Sequence, residues 1–470
     1  MKFKFITAIS AATILLSSCN KFKDFGDTNN NPNGTTVPSA AALLTNVEAG
    51  VGSYGFQTRP GLYAQYFSET QYTDVSLYSL PQIDFVGTYT GSLEDLQNII
   101  SLNTTNSQTA IAKILKAYIL WNTTDQFGAI PYTKALTGGL SAPEYDTQED
   151  IYKGLIQDLK DAAAMFDGSL VSGDIIFSGD QAKWIKTANS IRALMALQLS
   201  KRYPNAGEYA ATEFNAAITA PGGVIADNAD NFVVKYPGGN FQNPIYAVYN
   251  GREDYAESAT MTDLMSGLAD PRQQAYGGIA IGIVGSSSTG VPYGLKRGTT
   301  VDFTTANPGW ARVLNAKYRA DNSPLYLITA GEISLARAEA AARGWTTENA
   351  SNLYVDGITS SFAQWDAGTP SSSYLTQSSV ALGSGNAIDK IALQLYIASY
   401  PNGMQGWNIW RRTGVPSLEP APDATNNGEI PRRYRYGQTE NSTNPAAVQK
   451  AAADLEGGDI ETTSIWWDKE

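Results

Sequence analysis

The sequence predicts a mainly α protein: a scaffold of helix pairs interrupted by a loop-rich insertion that contains short β segments. Three observations carry that prediction. Apolar residues recur at spacings of three and four before about residue 220 and again after about residue 325. Between those stretches, from Pro221 to Pro324, Gly, Pro, Asn and Ser become dense and the periodicity fades. Once a leader is removed, roughly 450 residues remain, more than the ~250–300 at which single cores stop growing. Two lobes, or a repeat scaffold with a large insertion, are therefore expected. No clean repeat of about 34 residues is visible, so the helix-turn-helix stacking is read from pattern alone.

In the first helical part, 39–220, Ile111, Ile114, Leu115, Tyr118 and Trp121 form one apolar stripe. Ile151, Leu155, Leu159, Ala162 and Phe166 form a second, with Asp146 and Thr147 as N-cap candidates and Glu149 and Asp150 in the first turn. A third helix is expected from Gln181 to Ser200, with Trp184, Ala188, Ile191 and Met195 on one face and Tyr203-Pro204 as its stop. Glu208 to Ile218 reads as a shorter one, ended by Pro221-Gly222-Gly223.

In the insertion, 221–324, Phe232-Val233-Val234 reads as a strand and Gly277 to Gly298 as long loop. One helix interrupts it, Ala259 to Leu268, closed by Asp270-Pro271. In the last part, 325–470, helices are expected from Tyr326 to Arg343, Asn349 to Trp365, Ala387 to Ser399 and around Gln405 to Arg412. From Pro416 on, the tail reads as loop-rich and aromatic.

The N-terminal end speaks to compartment. Lys2 and Lys4 precede an apolar run from Phe5 to Leu16, too short for the ~20 residues that cross a bilayer and of signal-peptide length. Leu16-Ser17-Ser18-Cys19 resembles a bacterial lipobox, which predicts a signal peptide over 1–18 and diacylglycerol on Cys19. An ordinary secretory signal with an incidental cysteine is the competing reading. Cys19 is the only cysteine, so no internal disulfide can form, and acylation would remove an exposed thiol. Residues 19–38, rich in Asn and Gly, read as a tether. Asp27, Asn29 and Asn31 imitate a calcium loop, but Pro38 stands where its bidentate Glu is needed. No later segment reads as a transmembrane helix.

Composition excludes much. Histidine is absent, which removes Ser-His-Asp triads, Cys-His pairs and His-ligated zinc. Losing Lys2 and Lys4 with the leader, which carries no acid, takes the net charge from −12 to −14. That balance argues against a nucleic-acid partner. No P-loop or dinucleotide-binding glycine string appears, Gly285 to Gly290 is not a nucleophile elbow, and no cofactor or metal is predicted.

Several strings, in this order, resemble the SusD/RagB family of nutrient-binding outer-membrane lipoproteins, in its branch with an Asn-Pro-Asn start. They are the lipobox, Asn31-Pro32-Asn33, Asp125 to Tyr132, Pro143 to Thr147 and Ser178-Gly179-Asp180 with Trp184. Then follow Glu257-Ser258, Asp270-Pro271-Arg272, Ala338-Glu339-Ala340, Trp410-Arg411-Arg412-Thr413-Gly414, Ile430 to Arg433, and Trp466-Trp467-Asp468. One string departs: relatives often carry Trp-Gly-Asp where this chain has Gln126-Phe127-Gly128-Ala129. The resemblance implies a TPR-like α-α superhelix on the outer face of the outer membrane in Bacteroidetes-type bacteria. It further implies a partnership with a SusC-like TonB-dependent transporter, to which an oligosaccharide, or in some relatives a peptide, is delivered without chemistry.

Twenty-six Tyr and nine Trp supply faces that can stack on sugar rings. The ligand-binding candidates are the aromatics in loops: Tyr66, Tyr72, Tyr78, Tyr276, Tyr293 and Trp310. Replacing Trp310 or Tyr293 by Ala is accordingly expected to weaken ligand retention without unfolding the chain. Trp121, Trp184, Trp345, Trp365 and Trp410 fall on helical segments and read as core. Glu332 and Glu339 lie two helical turns, ~10.5 Å, apart, a spacing a glycosidase could use. The Ala-rich helix favours a structural role instead, with Glu339 paired to Arg411 or Arg412. Gly251-Arg252-Glu253-Asp254 with Glu257 is a second acidic cluster, read as a solvated loop before a calcium or sugar site. A surface glycoside hydrolase and an adhesin or assembly lipoprotein without a small ligand stand as the alternatives to a nutrient-binding protein.

Overall fold

The structure is a computed structural model that describes residues 38–138 and 142–469. The signal peptide, Cys19, Asn31-Pro32-Asn33 and the tether short of Pro38 lie outside the described residues.

The chain opens with α1 (Ala40–Val51) and α2 (Thr58–Tyr63), runs through β1 (Phe67–Glu69) and β2 (Gln82–Ile83), and reaches α3 (Glu94–Leu102). Then come α4 (Asn106–Phe127), α5 (Gln148–Ala164), α6 (Gln181–Gln198) and α7 (Tyr209–Ile218), each packed on the one before. Local chemistry explains the starts. Thr105, Thr147 and Asp180 each accept the amide of the third residue on, satisfying one of the free N–H groups of a new helix. Thr147, not Asp146, is thus the cap of α5; Asp146 instead accepts the amides of Tyr132 and Thr133 at 2.9 Å. Phe166 falls just past the end of α5, where it packs half-buried against the core.

All of α4 except Asn106, Lys113, Lys116 and Gln126 is buried, so it is a central helix with no solvent face. Its polar residues must therefore be satisfied internally. Asn122 and Thr123 bond back to the carbonyls of Tyr118 and Ile119 at 2.9 and 2.8 Å, and Gly128, at φ +89°, turns the chain out of the helix.

The insertion is woven into the helices at both ends. After β3 (Phe232–Val234) and α8 (Pro244–Tyr249) comes β4 (Tyr255–Glu257), which pairs antiparallel with β1, Phe67 opposite Glu257. Next are α9 (Ala259–Gly267), β5 (Gly277–Ala280), β6 (Ile283–Ser286), α10 (Arg297–Ala306), β7 (Arg312–Val313) and β8 (Leu325–Ile328). Strand β8 pairs antiparallel with β3, closing the base of the insertion.

Three expectations are corrected here. Gly277 to Gly298 is not long loop: β5 and β6 form a hairpin about Ile281-Gly282, with Gly282 at φ +68°, and β7 extends the sheet. The insertion holds more than one helix, because Asn243-Pro244 supplies a cap and a ready N1 residue, while polar, Thr-rich α10 lacks a core-facing stripe. The helix expected from Tyr326 begins at Ala330. Leu325–Ile328 extends as a strand because its side chains fill the space beside β3, and Thr329 with Glu332 forms a capping box that starts the helix.

The second helical part contains α11 (Ala330–Ala342), α12 (Ala350–Gln364), α13 (Ala387–Ser399) and α14 (Gly403–Thr413). Both α12 and α13 pack on α11, and α14 packs on α13. Helix α6 touches α11 and α14 and so joins the two parts. Where α14 begins, Gly403 lies so close to Gly61 of α2 that a Cβ would stand 2.3 Å from the Gly61 amide. The tail adds β9 (Arg435–Tyr436), parallel to β2, and two helices that its loop-like composition hid, α15 (Gln438–Thr443) and α16 (Pro445–Ala453). Among the described residues, no helix is long and apolar enough to cross a membrane.

Three of the described strings that carry the family resemblance, those with Asp125, Arg411 and Trp467, meet as a buried polar clasp, and Glu339 with Arg412 forms another. The Asp125 carboxylate accepts from Tyr152 (2.5 Å), Asn408 (2.7 Å) and Trp467 (2.8 Å). The Arg411 guanidinium donates to the Asp125 carbonyl at 2.8 Å and stacks on Trp407 and Trp467, 3.6 and 4.7 Å from their centroids. Glu339 is clasped by Arg412, as expected, and also by Arg343. Such pairs define register between helices more than they add stability.

Some buried carboxyls have no cation. Burial, and then the neighbouring Asp174 carboxylate, pushes Glu48 up to about 9; burial pushes Glu332 up to about 8. Both values stand above the usual 4.5. Their contribution to stability is therefore full below that value and is lost as pH rises through about 8 and 9. Unfolding free energy is expected to fall by roughly 5–7 kcal/mol between pH ~6 and pH ~9, at about 1.4 kcal/mol per pH unit for each group. Urea titrations across that range check this, and Glu48→Gln should flatten the decline.

Candidate ligand-binding cleft

Five of the six aromatic candidates are packing groups, which corrects their reading as ligand contacts. Tyr66 is fully buried against Tyr396 and Tyr400, with its hydroxyl donating to the Tyr396 carbonyl. Tyr276 is equally buried and donates to the Ile397 carbonyl at 2.8 Å. The Tyr78 hydroxyl accepts the Ala421 amide at 3.0 Å, and Tyr293 lies in the same core. Trp310 is 4% exposed and forms a small core of its own with Ala256 and Val291. The physical reason is common to all five. Irregular segments offer few aliphatic residues, so their large rings fill the space between loops and helices. Of the helical tryptophans, Trp121, Trp184, Trp345 and Trp365 are buried as expected, while Trp410 is half-buried.

Tyr72 is different: half of its surface, 50%, is exposed. It lines an open cleft of about 580 Å³ together with Gln71, Gly251, Arg252, Glu253, Asp254 and Ile281. The β1–β4 pairing builds this cleft, carrying residues 70–72 alongside 251–254. Thr70 continues the ladder, its amide donating to the Asp254 carbonyl (2.9 Å) and its hydroxyl to the Glu253 carbonyl (2.5 Å). The guanidinium carbons of Arg252 and Arg297 stand 5.4 and 5.1 Å from the Tyr72 centroid. Each carboxylate is held by an arginine: Asp254 by Arg252 at 2.5 Å, Glu253 by Arg312 at 2.8 and 3.1 Å.

Trp310 underlies this arrangement without reaching it. Arg312 stacks on the Trp310 ring, 3.7 Å from its centroid, and donates to the carbonyls of Ile279, Pro308 and Trp310. Beside the cleft, the β5–β6 hairpin exposes Ile279, Ile281, Ile283 and Val284. The result is a ring edged by donors and acceptors of both signs, suited to holding a hydroxyl-rich ligand. It lacks a carboxyl in an apolar setting that could serve as a general acid.

Glu332 and Glu339 offer no catalytic pair either. Both are buried, Glu332 in its capping box and Glu339 between two arginines. Glu257 is fully buried and bonded to Gln273, so it does not join the acidic loop at the surface. Among the described residues, no group of three or more His, Cys, Asp or Glu could hold a metal ion. A larger cavity, about 660 Å³, opens between α3 and α15. Its Phe85 and Tyr89 rings pack on each other, and the Tyr89 hydroxyl is taken by the Pro131 carbonyl. Gln71, Arg297 and Ile281 went unnamed in the sequence reading. Only Gln71, next to Tyr72 in a polar run, left a signal there.

A stack of helix pairs carrying a loop-built insertion, with Tyr72 at the edge of an open cleft, defines a class of helical-repeat scaffolds. Residues 32–437 match the SusD-like family described as starch-binding associating with outer membrane, and the chain belongs to that family. No curated protein matches it. Among solved structures it is similar to a chitin-binding SusD homologue from Flavobacterium johnsoniae, 24% identical over 91% of this chain and 98% of that one, TM-score 0.79. It is also similar to a chitin-binding protein, 26% identical over 92% and 100%, TM-score 0.78. A SusD homologue from Bacteroides uniformis, 23% identical over 93% and 100%, has a TM-score of 0.78.

Proposed function

We propose that this protein is a non-catalytic glycan receptor of the outer membrane, anchored through lipid on Cys19 and facing the exterior. It captures an oligosaccharide at the Tyr72 cleft and passes it to a SusC-like TonB-dependent transporter. One observation carries the reading: among the loop aromatics proposed for ligand, Tyr72 alone keeps an exposed face, and it does so amid Gln71, Arg252, Glu253 and Asp254. Family membership supports the glycan class. The chitin-binding relatives make a chitin fragment the first ligand to try.

Mature protein incubated with chitin and with starch is expected to be retained on at least one of them and to generate no new reducing ends. New reducing ends would favour the hydrolase reading, and failure to bind any glycan would favour a peptide ligand or an assembly role. Mass spectrometry of the mature N-terminus tests the anchor. Co-purification of an outer-membrane barrel tests the partnership.

A further inference from the structure

A second concavity, about 450 Å³, opens where α14 ends. Lys201, Arg343, Trp410, Arg411, Arg412 and Arg432 line it, with Ile388 of α13 at its edge. Five cations thus share one hollow in a chain whose net charge is −12. Two carboxylates answer them. Glu339 takes Arg343 and Arg412, and Asp468 takes Arg432 and Lys201. A third, Asp125 behind Arg411, offers it a backbone carbonyl and the charge of a carboxylate whose hydrogen bonds come from Tyr152, Asn408 and Trp467. Five positive charges against three negative ones, those of Glu339, Asp468 and Asp125, leave a surplus of two. The carbonyl of Arg411, at the negative end of α14, is covered by Lys201 at 2.9 Å and Arg432 at 3.0 Å, so the helix end does not repel an anion there.

Donors remain unspent. Arg411 is fully buried and clamped between Trp407 and Trp467, so it adds charge beneath the hollow and no donor to it. Arg343 spends Nε and Nη2 on Glu339, and Arg432 spends Nε and Nη2 on Asp468 and the Arg411 carbonyl. The Nη1 group of each carries no hydrogen bond among the described residues. Trp410, half-buried, adds a flat wall, with the Arg432 guanidinium 5.0 Å from its centroid. Guanidinium forks match the paired oxygens of phosphate and sulfate, and Arg holds its charge at any physiological pH.

We propose that this hollow binds a tetrahedral oxyanion, the phosphate or sulfate group of a substituted sugar or of a lipid headgroup. Arg343 and Arg432 supply the donors, and Trp410 flanks whatever carries the anion. No residue is shared with the Tyr72 cleft, so either site can fail without the other.

Calorimetric titration of the mature chain with inorganic phosphate tests this. One saturable site is expected, with sulfate competing and affinity falling as salt rises. Arg343→Gln and Ile388→Glu should each weaken phosphate binding about tenfold or more, while Lys160→Gln, on the exposed face of α5, leaves it unchanged. Ile388→Glu removes no ion pair, so an unaltered unfolding midpoint in that variant separates lost binding from lost structure. Glucose 6-sulfate and vesicles doped with phosphatidic acid then assign the source: binding by the sugar places it in cargo, binding by the vesicle in the membrane. Absence of saturable phosphate binding, or equal affinity in Ile388→Glu and wild type, overturns the proposal.

Discussion

Replacing Arg272 by Met is expected to lower the unfolding free energy by about 3–5 kcal/mol, the largest effect of any single substitution considered for this chain. Arg272 is fully buried. Its guanidinium grips Asp270 through Nε at 3.0 Å and Nη2 at 2.6 Å, reaches Ser361 and Gln394 at 2.9 Å, and lies 4.8 Å from the Phe362 centroid. It thereby ties the end of α9 to α12 and α13. Burial alone would raise the Asp270 carboxyl, but the charge and hydrogen bonds of Arg272 outweigh it and hold that carboxyl below its usual value.

Without the arginine, burial wins and Asp270 is left as an uncompensated buried charge. Its folded pKa then stands above the unfolded one, so the variant should recover stability as pH falls, a trend opposite to the one its intact pair imposes. Adding Asp270→Asn should restore part of the loss, because the pair and not either residue is the unit. Urea titrations of the two variants decide the matter. A loss below about 1 kcal/mol in Arg272→Met would mean that the clasp is not what holds these elements.

Replacing Tyr72 by Ala should weaken glycan binding about ten- to thirtyfold while leaving the unfolding midpoint in place. A half-exposed ring contributes little to folding, yet it is the cleft's only flat apolar face. Trp310→Ala is the informative contrast. The sequence reading expected that variant to lose ligand without unfolding. With its ring buried beneath Arg312, it should lose stability first, and affinity only through a misplaced Arg312 and a freed Glu253. Tyr293→Ala should likewise destabilise. Affinities and midpoints measured on the same preparations separate the two behaviours.

That contrast marks what the amino-acid pattern could and could not convey. Helix α13 runs from Ala387 to Ser399, as its periodicity indicated, and the Thr147 cap and the Glu339–Arg412 clasp were both foreseeable from local spacing. These features depend on neighbours in sequence or on a pattern one helix displays by itself. Strand β8 was not legible, because Leu325–Ile328 is a continuous apolar run whose period fits helix or strand, and β3, some ninety residues earlier, makes it a strand.

The cleft was less legible still. Its wall needs residues 70–72 to meet 251–254, which only the β1–β4 pairing accomplishes, and Arg297 arrives from a helix that has no apolar stripe. A tyrosine in a polar loop carries no sign of which way it faces. Hence Tyr66, Tyr72 and Tyr78 looked alike in the sequence and differ in space. The strings around Asp125, Glu339, Arg411 and Trp467 turned out to be clasps between elements of the scaffold, which is why they identify it while naming no ligand.

The central claim is that the Tyr72 cleft receives sugar. Crystals of the mature chain soaked with the oligosaccharide that binds it in solution should show a sugar ring against Tyr72, with hydroxyls bonded to Gln71, Arg252, Glu253 or Asp254. Sugar density confined to another surface, with the Tyr72 cleft empty at a saturating concentration, would contradict it.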